Sequence, residues 1–229
     1  MTANRFFTQA SFDFLSKLDA NNNRDWFNRH KQEYEDAVRT PALDFIAAMG
    51  DDLAAISPHF LAAPRKVGGS LMRAYRDVRF GRDKRPFKTN IGIQFRHFMG
   101  KDVHAPGFYL HLEPKECFIG VGIWHPDAPA LNRIRASIVE NPKAWVKVSR
   151  EKGFARKFEQ AGDSLTNPPR GYAKDHPLLE DLRRKDFIAI TPLNRKRVVS
   201  AGLKPDVVKS FQTAKPYIEF LCEALELPF

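Results

Sequence analysis

Cysteine is scarce in this chain, with only Cys117 and Cys222 among 229 residues. The two lie far apart in apolar surroundings. That excludes a disulfide framework and a Cys-x-x-Cys metal or redox site, and leaves two buried free thiols as the expectation. Long apolar runs are lacking as well. No stretch approaches the ~18 residues of a membrane span, and Met1-Thr-Ala-Asn-Arg5-Phe-Phe lacks the charged start and long apolar middle of a secretory signal. A cytoplasmic protein with no membrane partner is expected. Glycine-rich phosphate cradles are missing too: neither Gly-x-x-x-x-Gly-Lys-Ser/Thr nor Gly-x-Gly-x-x-Gly occurs. Without an internal repeat, a low-complexity tract or a flexible linker, residues 1–229 read as one domain.

What the chain does contain is a core and a charge imbalance. Hydrophobic residues make up 43%, with nineteen Phe and three Trp, which is too apolar and aromatic for a disordered chain. The formal net charge is +10. Such a field steers polyanions toward the surface but says nothing of specificity.

Hydrophobic periodicity divides the chain into regions. Phe12, Phe14, Leu15 and Leu18 recur at near-helical spacing until Asn21-Asn22-Asn23 breaks the pattern. A second helix carries Trp26, His30 and Tyr34 four apart, with Asn22 and Asp25 as a capping arrangement. His30 on that stripe reads as a histidine packed between aromatics. A third helix starts near Pro41 and turns Phe45, Ile46, Met49, Leu53 and Ile56 inward. From Ser70 the period changes to two: 70–75, 91–98, 108–113 and 117–124 read as strands of an antiparallel meander. Phe108, Leu110 and Leu112 then face one way, and Tyr109, His111 and Glu113 the other. In the last strand Gly120 and Gly122 share a face. On the side of Gln94, His111 and Glu113 they leave a hollow where a ligand can approach backbone; a bulge or a packing contact is the alternative. Later segments read as helices, one of them over 176–185, with a short strand at 187–191 and two short terminal helices separated at Lys215-Pro216. The fold class is α+β: an antiparallel β-meander packed against N-terminal and C-terminal helices, helical over 10–60, sheet over 66–125 and mainly helical over 128–229.

The densest chemistry lies in residues 73–88, where seven cations and two carboxylates fall within sixteen residues. Their net of +5 is half the charge of the whole chain. Arginine suits phosphate and carboxylate because its planar fork of donors is never deprotonated. Gly81 and Pro86 forbid regular structure through the cluster, which therefore forms a loop at a sheet edge. Within it Asp77 and Asp83 either hold neighbouring guanidinium groups in place, or act as a general base or as Mg²⁺ ligands.

These residues also carry a resemblance. Arg73-x-x-Arg76-Asp77-x-Arg79-Phe80-x-x-Asp83-Lys84-x-Pro86-Phe87-Lys88 resembles the signature of the bacterial and fungal conserved hypothetical family called domain of unknown function 2461. Asn21-Asn22-x-Arg24-Asp25-Trp26-Phe27-x-x-His30-Lys31 is similar to that family's opening. Tyr109-Leu-His111-Leu-Glu113-Pro114 to Gly120-x-Gly122-Ile-Trp124-x-Pro126 is similar to its central hairpin. Gly171-Tyr172-x-x-Asp175-His176-Pro177-Leu178 fits as well, so the resemblance spans nearly the whole chain. It implies no established activity. Phe87 departs from it, because such sequences usually carry Tyr there, and this argues against a phenol as an obligatory acid.

Other signals are weaker. His111-x-Glu113 with His125, Asp127 or His104 has ligand chemistry for zinc, but no spacing matches a compact zinc signature, and no metal residues are assigned. A second basic patch, Arg183-Arg184-Lys185 and Arg195-Lys196-Arg197, either extends the positive surface or caps helix ends. The leading reading is a small phosphorylated or otherwise anionic ligand held by Arg73, Arg76, Arg79, Lys84 and Lys88. Asp77, Asp83, His111 and Glu113 are the candidate catalytic residues. The rival is a nucleic-acid module in which the same loop and the second patch contact phosphates while Phe80, Phe87 or Tyr75 stacks on bases. A third reading is a docking surface for an acidic protein. Neither a cofactor nor an oligomeric state follows from the sequence.

Overall fold

The structure, a computed structural model, describes residues 4–79, 83–100 and 105–229. Helices α1 (Gln9–Ala20), α2 (Arg24–Arg29) and α3 (Lys31–Tyr34) lead through a single π turn, Glu35–Arg39, into α4 (Thr40–Ala48) and α5 (Gly50–Ile56). Strands β1 (Ile91–Arg96), β2 (Gly107–Leu112) and β3 (Cys117–Ile123) follow as an antiparallel meander. Helices α6 (Ala128–Glu140), α7 (Pro142–Arg150) and α8 (Lys152–Lys157) precede the short strand β4 (Glu159–Ala161). The chain ends with α9 (Leu179–Leu182), β5 (Phe187–Pro192), α10 (Arg195–Val198) and α11 (Leu203–Ala224). The α+β reading holds. All five strands form one antiparallel sheet in the order β1-β2-β3-β5-β4, so the later part of the chain extends the meander through the strand expected at 187–191 and through β4.

Alternation decides which face is covered. Ile93 and Phe95 of β1, Phe108 and Leu110 of β2, and Ile119 and Ile123 of β3 are fully buried. α11 closes this face, with Phe211 packing edge-on against Phe95 at 5.7 Å and tilted against Phe108 at 4.5 Å. Both cysteines are buried and free, and burial pushes the Cys222 thiol up to about 12.

Three local expectations need correction. The strand expected at 70–75 is reduced to two isolated bridges, Leu71 with Ile93 and Tyr75 with Phe87. Its residues bond β1 only through Met72 N to the Gly92 carbonyl and Gln94 N to the Ser70 carbonyl before the chain peels away. The helix expected over 176–185 covers only Leu179–Leu182. The two terminal helices are one continuous 22-residue helix with Pro216 inside it. Proline removes a donor to the carbonyl four residues earlier. Here Pro216 and Gln212 are both exposed, so water serves the freed carbonyl, while Ala214, Tyr217, Ile218 and Leu221 on the opposite side are fully buried and hold the helix together.

The cap of α2 also differs by one residue, and the difference matters to the site. Asn23 is the cap, its side chain accepting from Trp26 N at 2.9 Å. Asn22 is thereby free to pair its amide with the backbone of Phe87, donating to the Phe87 carbonyl and accepting from Phe87 N, both at 3.0 Å. His30 stacks on Trp26 at 4.0 Å with its Nδ1 2.8 Å from the Trp26 carbonyl, in line with a histidine packed among aromatics.

Candidate functional site

The basic segment is a hairpin-like excursion from the β1 edge. Arg76 N donates to the Pro86 carbonyl and Lys88 N to the Ala74 carbonyl, which brackets the Tyr75–Phe87 bridge and closes the excursion at its base. The base is anchored through Phe87. Its ring is fully buried, stacks on Phe27 at 4.0 Å and lies 4.9 Å from Tyr75, so Phe87 supplies packing and cannot stack on a base. Phe80 and Arg82 of the motif, and His104, lie outside the described residues.

Beyond the base, carboxylates organise the cations. Asp77 accepts from Arg79 Nε at 3.0 Å, Arg79 Nη2 at 2.7 Å and Arg79 N at 3.2 Å, and these bonds hold its carboxyl down at about 2. Asp83 accepts from Arg85 N, Nε and Nη2 and from Arg76 Nη1 at 2.6 Å, which holds it well below the usual carboxylate range. Arg85 reaches on to Asp19 at the end of α1 at 2.6 Å. Lys84 donates to the Val78 carbonyl at 2.9 Å. So strongly engaged, the two carboxylates are suited to fixing guanidinium groups and poorly suited to taking a proton near neutrality. Among the described residues no hydrogen bond joins either one to His111 or Glu113.

Lys88 is the exception in this cluster. It is half-buried, no described carboxylate pairs with it, and its Nζ lies 4.0 Å from the Met72 thioether. Burial, and then the nearby charges of Arg73 and Arg76, push its pKa below the ordinary lysine value. Arg73 is exposed and likewise has no ion-pair partner among the described residues. Arg76 uses Nη1 for Asp83 and gives Nε and Nη2 to no described residue.

His111 and Glu113 come together as the alternation requires. His111 Nδ1 lies 3.1 Å from the Tyr109 hydroxyl and 3.4 Å from Asn90 Nδ2, and its Nε2 is 3.3 Å from Glu113 Oε2. Because the Asn90 amide nitrogen can only donate, Nδ1 accepts and Nε2 carries the proton toward Glu113. Thr89 donates to the other Glu113 oxygen at 3.1 Å, and Phe118 stacks on the imidazole at 4.6 Å. Burial pushes the Tyr109 phenol up to about 12, so it stays a neutral donor.

Beside this network is the hollow. Gln94, Tyr109, Gly120 and Ile190 stand side by side across β1, β2, β3 and β5, which puts both strand glycines on the face away from α11. A cavity of about 340 Å³ opens there, floored by Gly120 and Gly122 and walled by Met72, Tyr109, Phe118 and Trp124, with Ile188 and Ile190 at the β5 side. Among the described residues no lining side chain is charged. Met72 is shared by the hollow and the Lys88 ammonium, so this one cation stands a single side chain away from the hollow. The glycine pair predicted the hollow from sequence. Its Met72, Ile188 and Ile190 walls were not legible, because each depends on a strand neighbour that periodicity alone cannot assign.

Two further features resolve sequence ambiguities. His125 is held by Asp186: its Nδ1 lies 2.6 Å from that buried carboxylate, which also accepts from His125 N and Asp163 N. No three His, Cys, Asp or Glu among the described residues could hold a metal ion together. Much of the second basic patch is used internally. Arg183 donates to the Leu165 carbonyl, Arg184 to the Ala161 carbonyl, and Arg197 grips Asp206 through two bonds of 2.7 and 2.8 Å.

Comparisons with known proteins add one finding. The family model described as conserved hypothetical protein (DUF2461) matches residues 10–220. No curated protein and no solved structure gives a significant match. Among the described residues no helix is long and apolar enough to cross a membrane.

Proposed function

The chain belongs to the conserved hypothetical protein (DUF2461) family, and from its site we propose that it binds a small phosphorylated or otherwise anionic ligand at Arg73, Arg76 and Lys88. The observation that carries this reading is Lys88: a half-buried ammonium beside the charges of two guanidinium groups, with no carboxylate paired to it among the described residues. Burying a cation without a partner is costly, and an anion on this spot removes the cost. Asp77 and Asp83 are positioning residues that fix Arg79, Arg85 and Arg76 through the bonds described above. Arg79 and Lys84 sit farther out on the loop and contribute field rather than direct grip. If bound substrate reacts here, fixed cations in a partly dry site supply electrostatic stabilisation, and His111 with Glu113 is the adjoining acid–base pair.

Titration calorimetry with inorganic phosphate tests the proposal. Arg76→Ala is expected to weaken binding about tenfold to a hundredfold, since a charge-assisted bond contributes ~1.5–3 kcal/mol. Asp83 keeps its Arg85 bonds in that variant, so the loop retains its frame. Affinity is also expected to fall as pH climbs through the depressed Lys88 pKa, where the neutral amine no longer balances the anion. The salt dependence is expected to be shallow, unlike the steep slope of a polynucleotide binder that releases several counterions. Undiminished binding in Arg76→Ala, or loss confined to Arg96→Ala on the neighbouring strand, would place the anion elsewhere and defeat the proposal.

A further inference from the structure

Building on that anion site, we infer that the ligand is an aryl anion: a flat aromatic group lying in the β-sheet hollow and carrying its phosphate or carboxylate at the Met72 edge. Gly120 is the first argument. A Cβ built there meets Tyr109 at 3.6 Å and Phe118 at 3.8 Å, which are ordinary contacts, and no left-handed backbone conformation demands glycine. Gly122 is different, because its φ of +118° and the approach of the Phe187 carbonyl leave no room for a side chain. A strand-interior glycine that the backbone does not require forfeits stability. What it preserves is the floor of the hollow.

Size and chemistry specify the occupant. The ~150 Å³ cavity known to accept benzene is less than half the about 340 Å³ found here, so a fused pair of rings fits. The walls offer aromatic faces from Phe118, Tyr109 and Trp124, of which Trp124 is 48% exposed. The polar side chains on the described lining are Gln94, Tyr109 and Trp124, and the Tyr109 hydroxyl is already engaged with His111. With no charge on the described lining, no described side chain balances an anionic group inside the hollow. It is balanced one thioether away, at Lys88.

Calorimetry with 2-naphthyl phosphate, inorganic phosphate and 2-naphthol tests this. Wild type is expected to bind naphthyl phosphate about tenfold or more tighter than phosphate, the increment given by burying an aryl ring. Gly120→Val and Ile190→Phe, which fill the hollow from two different strands, are expected to cancel that increment while leaving phosphate binding unchanged. Two variants guard against one that folds poorly. Equal affinity for naphthyl phosphate and phosphate in wild type would overturn the aryl inference and leave the anion site standing. Binding of naphthol with no binding of phosphate would leave the hollow standing and overturn the anion site on which the inference rests. Loss of phosphate binding in both filled variants would show that the hollow and the anion site are not separate, and would overturn the assignment.

Discussion

Gly122→Ala is expected to destabilise the fold by about 3 kcal/mol or more, while Gly120→Ala, two residues earlier on the same face, raises stability by ~0.5–1 kcal/mol. The opposite signs follow from backbone geometry. Gly122 pairs with Ile188 on β5 at a φ of +118°, and the Phe187 carbonyl occupies the place of its missing Cβ, so a methyl group there must break the β3–β5 ladder. Gly120 has ordinary room, and alanine there reduces the freedom of the unfolded chain at little native cost. Urea unfolding of both variants reads the difference directly. Two substitutions of the same sign would mean that β3 does not lie on β5 in this register.

Phe87→Ala is the second large effect, a loss of about 3–5 kcal/mol expected for truncating a fully buried phenyl ring. Its consequence reaches the site, because the ring stacked on Phe27 and the backbone bonds to Asn22 fix the strand that ends in Lys88. Phosphate affinity is therefore expected to fall together with stability, even at temperatures where the variant stays folded. Phe87→Leu, which keeps most of the volume, separates the two roles: it should retain most of the affinity and lose about 1–1.5 kcal/mol. A Phe87→Ala protein with native stability would show that the hairpin base is not anchored in the core.

The site was legible where one residue's type and spacing sufficed. Alternation put His111 and Glu113 on one face, and two glycines on one strand face announced the hollow. It was illegible where partners come from far along the chain. Asn22 looks like a cap from sequence, and only the fold reveals that the neighbouring Asn23 caps while Asn22 completes the Phe87 backbone 65 residues away. Lys88 looked like one cation among seven. Its distinction is to be half-buried without a described carboxylate partner, which emerges only after Asp77 and Asp83 have taken Arg79, Arg76 and Arg85. The terminal helix was misread for a related reason: Pro216 is a helix breaker by local chemistry, but its exposed position and the buried side chains opposite it let the helix continue.

The state of the Lys88 ammonium tests the central claim most directly. An NMR pH titration of the Lys88 side chain, assigned by comparison with Lys88→Met, should give a pKa below that of an ordinary lysine in the free protein, because burial and the charges of Arg73 and Arg76 oppose protonation. Saturating inorganic phosphate should raise that pKa, since an anion in contact favours the charged form. A Lys88 pKa that stays put under saturating phosphate would contradict the account.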